Sequence, residues 1–198
     1  MLRVALHSVA KQTAVAQISR VIVSENGGDR GSRDVCQEFP RLPITYAFRD
    51  PPLPPLGHAQ VLMREYLQGD LTCILHDDDW WLPNHVEDAM TALADHPDAS
   101  VYGADHILHE NDVLMTHLTC SLMAWMAANY PLPSSVWRIS HINVLLASLL
   151  NFIVHYSSMV ARTEALRQAA YVYDLDNPYD NDRMILFALS RLGPVLCQ

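Results

Sequence analysis

An α/β fold, with a mostly parallel sheet flanked by helices, is what this sequence predicts, and three observations carry the prediction. Short apolar, partly β-branched runs alternate with helix-like runs through the first half of the chain, the pattern of βαβ units. The run Leu71-Thr72-Cys73-Ile74-Leu75 is apolar without alternation, as a strand buried on both faces requires. It ends in His76-Asp77-Asp78-Asp79-Trp80-Trp81-Leu82-Pro83, which puts three adjacent carboxylates at a strand's carboxyl end, where open α/β sheets bind ligands.

Taken in order, residues 2–12 read as an amphipathic helix, 18–24 as a strand and 44–48 as a second strand, with a turn at Asn26-Gly27-Gly28. The tract Asp50-Pro51-Pro52-Leu53-Pro54-Pro55 suits neither a helix nor a central strand. It reads as a stiff surface loop and not as a domain linker, because the α/β pattern resumes at once. Residues 57–67 form a helix, 71–75 a strand, 83–94 a helix with Pro83 in its first turn, and 100–102 a strand. Beyond that, 113–129 and 142–151 read as helices, 155–160 as extended, and 163–170 and 180–192 as helices. His106 and His109 have metal-pair spacing but fall in a stretch that reads as loop, so they are assigned to the surface or to structure.

The chain's 198 residues and 22.3 kDa fit one domain, residues 1–198. Half the residues are hydrophobic and 18% charged, which makes it globular. A net charge of -9 argues against nucleic acid as a partner, since that affinity rests on Lys and Arg neutralising phosphates. Cys36, Cys73, Cys120 and Cys197 are too scattered for a disulfide framework or a zinc knuckle and fit reduced thiols in a cytoplasmic protein. No secretory leader is visible at the N-terminus. The apolar stretch 142–153 is interrupted by Asn143 and Asn151 and is too short to span a bilayer. It suits a core helix or one lying against a membrane surface.

The acidic triplet has two readings. Hard divalent ions such as Mg²⁺ or Mn²⁺ take one or two carboxylates and keep open positions for water and phosphates. Alternatively, Asp78 and Asp79 complement the positive end of the following helix, which accounts well for one Asp and poorly for three.

Several segments, in order, resemble family 2 glycosyltransferases, inverting enzymes of the GT-A fold. The first is Leu6-His7-Ser8-Val9-Ala10-Lys11-Gln12-Thr13 with Val21-Ile22-Val23-Ser24-Glu25-Asn26-Gly27-Gly28. The second is Leu75 to Pro83, similar to that family's DXD region. The third is Ser157-Ser158-Met159-Val160-Ala161-Arg162, then Asn181-Asp182-Arg183 and Gly193.

The resemblance implies transfer of a sugar from a nucleotide diphosphate donor to a sugar, lipid-linked or protein acceptor, with Mg²⁺ or Mn²⁺ as cofactor. Such chemistry serves cell-surface polysaccharide synthesis and suits a site in the cytoplasm, including the inner face of the membrane with peripheral association. It implies that residues 1–104 bind the donor and 105–198 the acceptor. Glu25, Asn26, His76 and Asp77 would contact the donor nucleotide, and Asp78 with Asp79 would hold the metal. Asp182 would be the catalytic base, with Trp81 and Asn181 on the acceptor side. On local sequence alone Asp180 and Asp182 are equally ordinary helix N-terminal residues. Arg162 has two readings, a donor phosphate ligand or a plain salt bridge.

Two substitutions depart from the family pattern: His76 stands at the usual first Asp of the DXD region, and Asn181 at the Glu before the base. Relatives also carry a strand before the first helix, whereas Met1 falls inside that helix, and Val195-Leu196-Cys197-Gln198 reads as a strand just beginning. The chain is therefore expected to be clipped at both termini, without the usual first strand. Alternatives are an inactive remnant of the same fold acting as a binding or structural module, and a nucleotidyltransferase, which the Asn181-Asp182 helix disfavours.

Overall fold

The computed structural model describes residues 1–110, 113–116, 136–150, 154–174 and 181–198, and their side chains apart from 108–110, 113–116, 146–150, 173–174 and 181–182. Among these residues the strands are β1 (Val21–Asn26), β2 (Ile44–Arg49), β3 (Leu71–Cys73), β4 (Val101–Gly103), β5 (Ile107–Glu110), β6 (Val113–Thr116), β7 (Trp137–Ile139), β8 (Met159–Arg162) and β9 (Val195–Cys197). The helices are α1 (Leu2–Ala10), α2 (Gly31–Gln37), α3 (Pro55–Glu65), α4 (His85–Asp95), α5 (His141–Leu150), α6 (Thr163–Ala169) and α7 (Asn181–Ser190).

Strands β1 and β2 form a parallel pair, from Val21 opposite Ile44 to Asn26 opposite Arg49. The amphipathic stripe of α1 and the inner side of α2 close on this pair, and Leu6, Val9, Val23, Cys36 and Leu42 are buried together there. The main sheet has the order β3-β8-β4-β9-β7. β3 and β4 both run antiparallel to β8, β9 runs parallel to β4, and β7 runs antiparallel to β9. The α/β architecture is as expected, but this sheet is mixed where a mostly parallel one was predicted. An apolar run such as Met159-Val160-Ala161 states that a strand is buried and not which way it points.

Alternation along the strands builds two cores from one sheet. Val101, Ala161 and Val195 face Leu166 of α6 and Ile185 and Leu189 of α7. Their neighbours Tyr102, Val160 and Leu196 face Ala89 and Leu93 of α4. All six strand residues are at most 2% exposed. Each buried Val, Leu or Ile side chain among these contributes about 1.5–3 kcal/mol, which makes this sandwich the main support of the site.

Other differences from expectation have local causes. Val113–Thr116 is a strand paired antiparallel with Ile107–Glu110, and not the start of a helix, while residues 117–129 of that forecast lie outside the described residues; pairing decides a short apolar run that either element accepts. His109 accordingly lies in β5 and not in a loop. Pro55 opens α3 at its first turn, where its missing N–H costs nothing. Helix α2 and strand β7 had no sequence forecast. Cys73 and Cys197 carry thiols that burial pushes up to about 12, so both stay protonated, as the reading of inert thiols requires. Among the described residues no helix is long and apolar enough to cross a membrane.

Candidate active site

The acidic segment leaves the end of β3 and turns on itself before α4. The Asp79 N–H donates to the His76 carbonyl at 3.3 Å, closing a turn that carries Asp77 and Asp78 at its tip. Helix α4 begins only at His85, so none of the three carboxylates caps it, and the capping explanation falls away. His76, Asp77 and Asp78 are exposed and Asp79 is half-buried.

Two clamps fix this turn. On one side stands Gln12, just beyond α1 and only 3% exposed. Its amide nitrogen donates to the Leu82 carbonyl at 2.8 Å, and its oxygen accepts the Val86 N–H at 2.9 Å. On the other side is Ser157, in the 3-10 turn Tyr156–Ser158 that leads into β8. Its hydroxyl donates to Asp79 Oδ2 at 2.5 Å and accepts the His76 N–H at 3.1 Å, while its carbonyl accepts from Trp81 Nε1 at 2.5 Å.

Around Asp79 stand imidazoles. Nδ1 of His76 lies 3.9 Å and Nδ1 of His155 lies 3.8 Å from Asp79 Oδ2. The His155 ring packs against His106 at 5.0 Å, and the His76 ring against Tyr156 at 5.3 Å. One ligand atom each from His76, Asp78 and Asp79 lies within 4.8 Å of the other two. Carboxylates about 5 Å apart at an open surface repel by about 1 kcal/mol per pair, a cost the fold tolerates and a divalent cation would reverse. Nitrogen and carboxylate donors in this arrangement fit such an ion, and their exposure leaves positions open for phosphate oxygens.

The other forecast residues fall as follows. Glu25 and Asn26 end β1, and Leu75 and Trp81 pack into the cluster that β1 and β2 share with α1 and α2. Glu25 accepts from the Tyr46 hydroxyl at 2.6 Å and from the Arg30 N–H at 3.1 Å. Gly27 and Gly28 take the positive φ values, 83° and 96°, that the turn after β1 demands. Asn26 spends both ends of its amide on the backbone of Leu53, donating at 2.7 Å and accepting at 2.9 Å, and so pins the proline loop. Trp81 is half-buried, 5.0 Å from the His85 ring, whereas Trp80 is 47% exposed.

Arg162 forms no salt bridge among the described residues and spends its guanidinium on backbone carbonyls. It donates through Nε to the Ala99 carbonyl and through Nη2 to the Leu93 carbonyl, both at 2.7 Å, and so holds the last turn of α4. Asn181 and Asp182 open α7, as forecast, but their side chains lie outside the described residues. Gly193 stands where α7 hands the chain to β9; a Cβ there would sit 2.3 Å from the Asp98 carbonyl oxygen.

Ser157, His155 and Gln12 were not singled out as site residues from sequence. Ser157-Ser158 ahead of an apolar strand was visible, but nothing local to it names Asp79 as its partner.

Comparison with known proteins bears on the fold that carries this site. The chain superimposes on crystal structures of S. aureus TarS 1-349 with a TM-score of 0.69 at 13% identity, covering 100% of this chain and 53% of that one. TarS in complex with UDP gives 0.66 at 12% identity, with coverage of 100% and 53%. TarS in complex with UDP-GlcNAc gives 0.70 at 14% identity, with coverage of 98% and 51%. The chain thus shares the GT-A-like fold of TarS and spans about half the length of those chains. No curated protein matches the sequence closely. The model of the family described as "Glycosyl transferase family 2" matches residues 1–156, which contain the β1 turn, the acidic turn and its imidazoles, and to that family the chain belongs.

Proposed function

We propose that the protein transfers a sugar from a nucleotide diphosphate to an acceptor hydroxyl with inversion, assisted by a divalent metal. The observation that carries this reading is the grouping of His76, Asp78 and Asp79 just beyond β3, one ligand atom of each within 4.8 Å of the other two, in a chain of family 2. Asp78 and Asp79 hold Mg²⁺ or Mn²⁺, which when bound neutralises the charge growing on the departing diphosphate. The donor's base and ribose lie beside Glu25 and Asn26, and His76 and Asp77 line the donor side. Bound UDP and UDP-GlcNAc in the TarS complexes suit such a donor.

Asp182 takes the proton as the acceptor oxygen forms its bond to the anomeric carbon. The bond from that carbon to the diphosphate breaks on the opposite face, which inverts the configuration. Asp182 lies in the first turn of α7, a helix whose inner face, Ile185 and Leu189, is fully buried, so packing holds the backbone that carries it. Asn181 beside it, and Trp80 as the more exposed ring of the tryptophan pair, supply the acceptor side together with Trp81.

The test is thermal unfolding with Mn²⁺ and a panel of nucleoside diphosphates. A ligand at a hundred times its Kd stabilises the native state by about 2.7 kcal/mol, which raises Tm by about 5–10 °C in a chain of this length. The reading is overturned if no diphosphate shifts Tm in the presence of metal.

A further inference from the structure

Resting on the metal site proposed above, we propose that His76 is itself a metal ligand, making this a mixed nitrogen–oxygen centre that selects Mn²⁺, Co²⁺ or Zn²⁺ over Mg²⁺. The family pattern puts a carboxylate at this position and a nucleotide contact on it; the geometry here points elsewhere. One ligand atom of His76 stands within 4.8 Å of one each from Asp78 and Asp79. Donors on opposite sides of one ion stand about 4.0–4.4 Å apart for bonds of 2.0–2.2 Å, so small side-chain rotations close the set.

Two further features suit a metal site. Asp79 is oriented by the Ser157 hydroxyl at 2.5 Å, the kind of outer hydrogen bond that fixes a ligating carboxylate. A second imidazole, His155, also brings its Nδ1 to 3.8 Å from Asp79 Oδ2, so nitrogen donors flank the carboxylate on two sides. The His76 ring is held against Tyr156 at 5.3 Å, which limits its rotation. All-oxygen sites suit Mg²⁺, whereas an imidazole shifts preference toward the first-row transition ions, rising from Mn²⁺ to Co²⁺ and remaining high for Zn²⁺.

The experiment uses the full chain and metal alone. Mn²⁺ and Mg²⁺ affinities are measured by calorimetric titration for the native protein and for His76→Asp, His76→Gln, His155→Ala and Asp78→Asn. Pulsed electron paramagnetic resonance on bound Mn²⁺ reads directly coordinated ¹⁴N. The native protein is expected to bind Mn²⁺ at least tenfold tighter than Mg²⁺, with a ¹⁴N coupling that persists in His155→Ala and disappears in both His76 variants. His76→Asp is expected to bring the two affinities within about threefold. Mn²⁺ that is lost in Asp78→Asn but shows no ¹⁴N coupling, or keeps its preference in His76→Asp, overturns the role of His76 and leaves the proposed metal site standing. Binding unaffected by Asp78→Asn, or no binding at all, overturns the metal site and this inference together.

Discussion

Replacing Ser157 with alanine is the sharpest single perturbation, because one buried hydroxyl joins the acidic turn to the sheet. Ser157 is 4% exposed, and Ser157→Ala removes the donor to Asp79 and the acceptor of the His76 N–H while leaving its carbonyl bond to Trp81 in place. A hydrogen bond to a charged group contributes about 1.5–3 kcal/mol, and an abandoned N–H costs about 1–3. Asp79 and His76 keep side-chain exposures of 36% and 45%, so water recovers part of both losses. The net expected is about 2 kcal/mol, or about 4–8 °C in Tm. Loss of an outer hydrogen bond to a metal ligand also weakens metal binding by about 10–100-fold. Calorimetric unfolding and Mn²⁺ titration of the native and variant proteins read both effects. The same substitution made in an Asp79→Ala background isolates the pairwise contribution. If Ser157→Ala changes neither Tm nor metal affinity, the clamp described here does not hold the turn.

Three other outcomes are expected. Burial holds the His85 imidazole down at about 4, against 6.5 in the unfolded chain, so unfolded molecules bind the extra proton first. Stability is therefore complete above pH 6.5 and falls as pH drops toward 4, by about 3 kcal/mol at most, and His85→Leu flattens that part of the Tm–pH curve; an unchanged slope refutes the assignment. Arg162→Ala loses the bonds to the end of α4 and lowers stability by about 2–3 kcal/mol while leaving nucleoside diphosphate affinity intact; a tenfold fall in affinity with Tm unchanged would restore the phosphate reading. Gly193→Ala drives a Cβ to within 2.3 Å of the Asp98 carbonyl and is expected to cost more than about 2 kcal/mol in a urea titration; a neutral effect means the β9 approach is looser than described.

How far the chain could be read followed the distance over which its physics acts. The acidic turn was legible because everything that makes it, an apolar run, three carboxylates and a helix start, lies within about a dozen consecutive residues. Strands β1 to β4 and helices α1, α3 and α4 were legible for the same reason, within a few residues at their ends. The direction of β8 was not, because it is set by pairing with β3 and β4, Cys73 and Tyr102 both meeting Val160. Nor was the role of Ser157, whose bond to Asp79 spans 78 residues of sequence. Asn26 illustrates the limit of residue type as a guide. A polar side chain at a strand end suits a ligand, and residue type alone does not reveal that both ends of this amide also bond the Leu53 backbone, 27 residues away. The resemblance to family 2 enzymes reached further than local reading because it rests on the order of several motifs and not on one.

The central claim is that Asp78 and Asp182 perform metal-assisted sugar transfer, and release of nucleoside diphosphate from nucleotide sugars tests it most directly. The full chain, with Mn²⁺ and a panel of donors and acceptor sugars, is expected to release diphosphate in a reaction stopped by chelation. Asp78→Asn and Asp182→Asn are each expected to slow that release by about 100-fold or more, the scale on which general-base and metal contributions operate. Release that persists under chelation, or that survives both substitutions undiminished, would contradict the account.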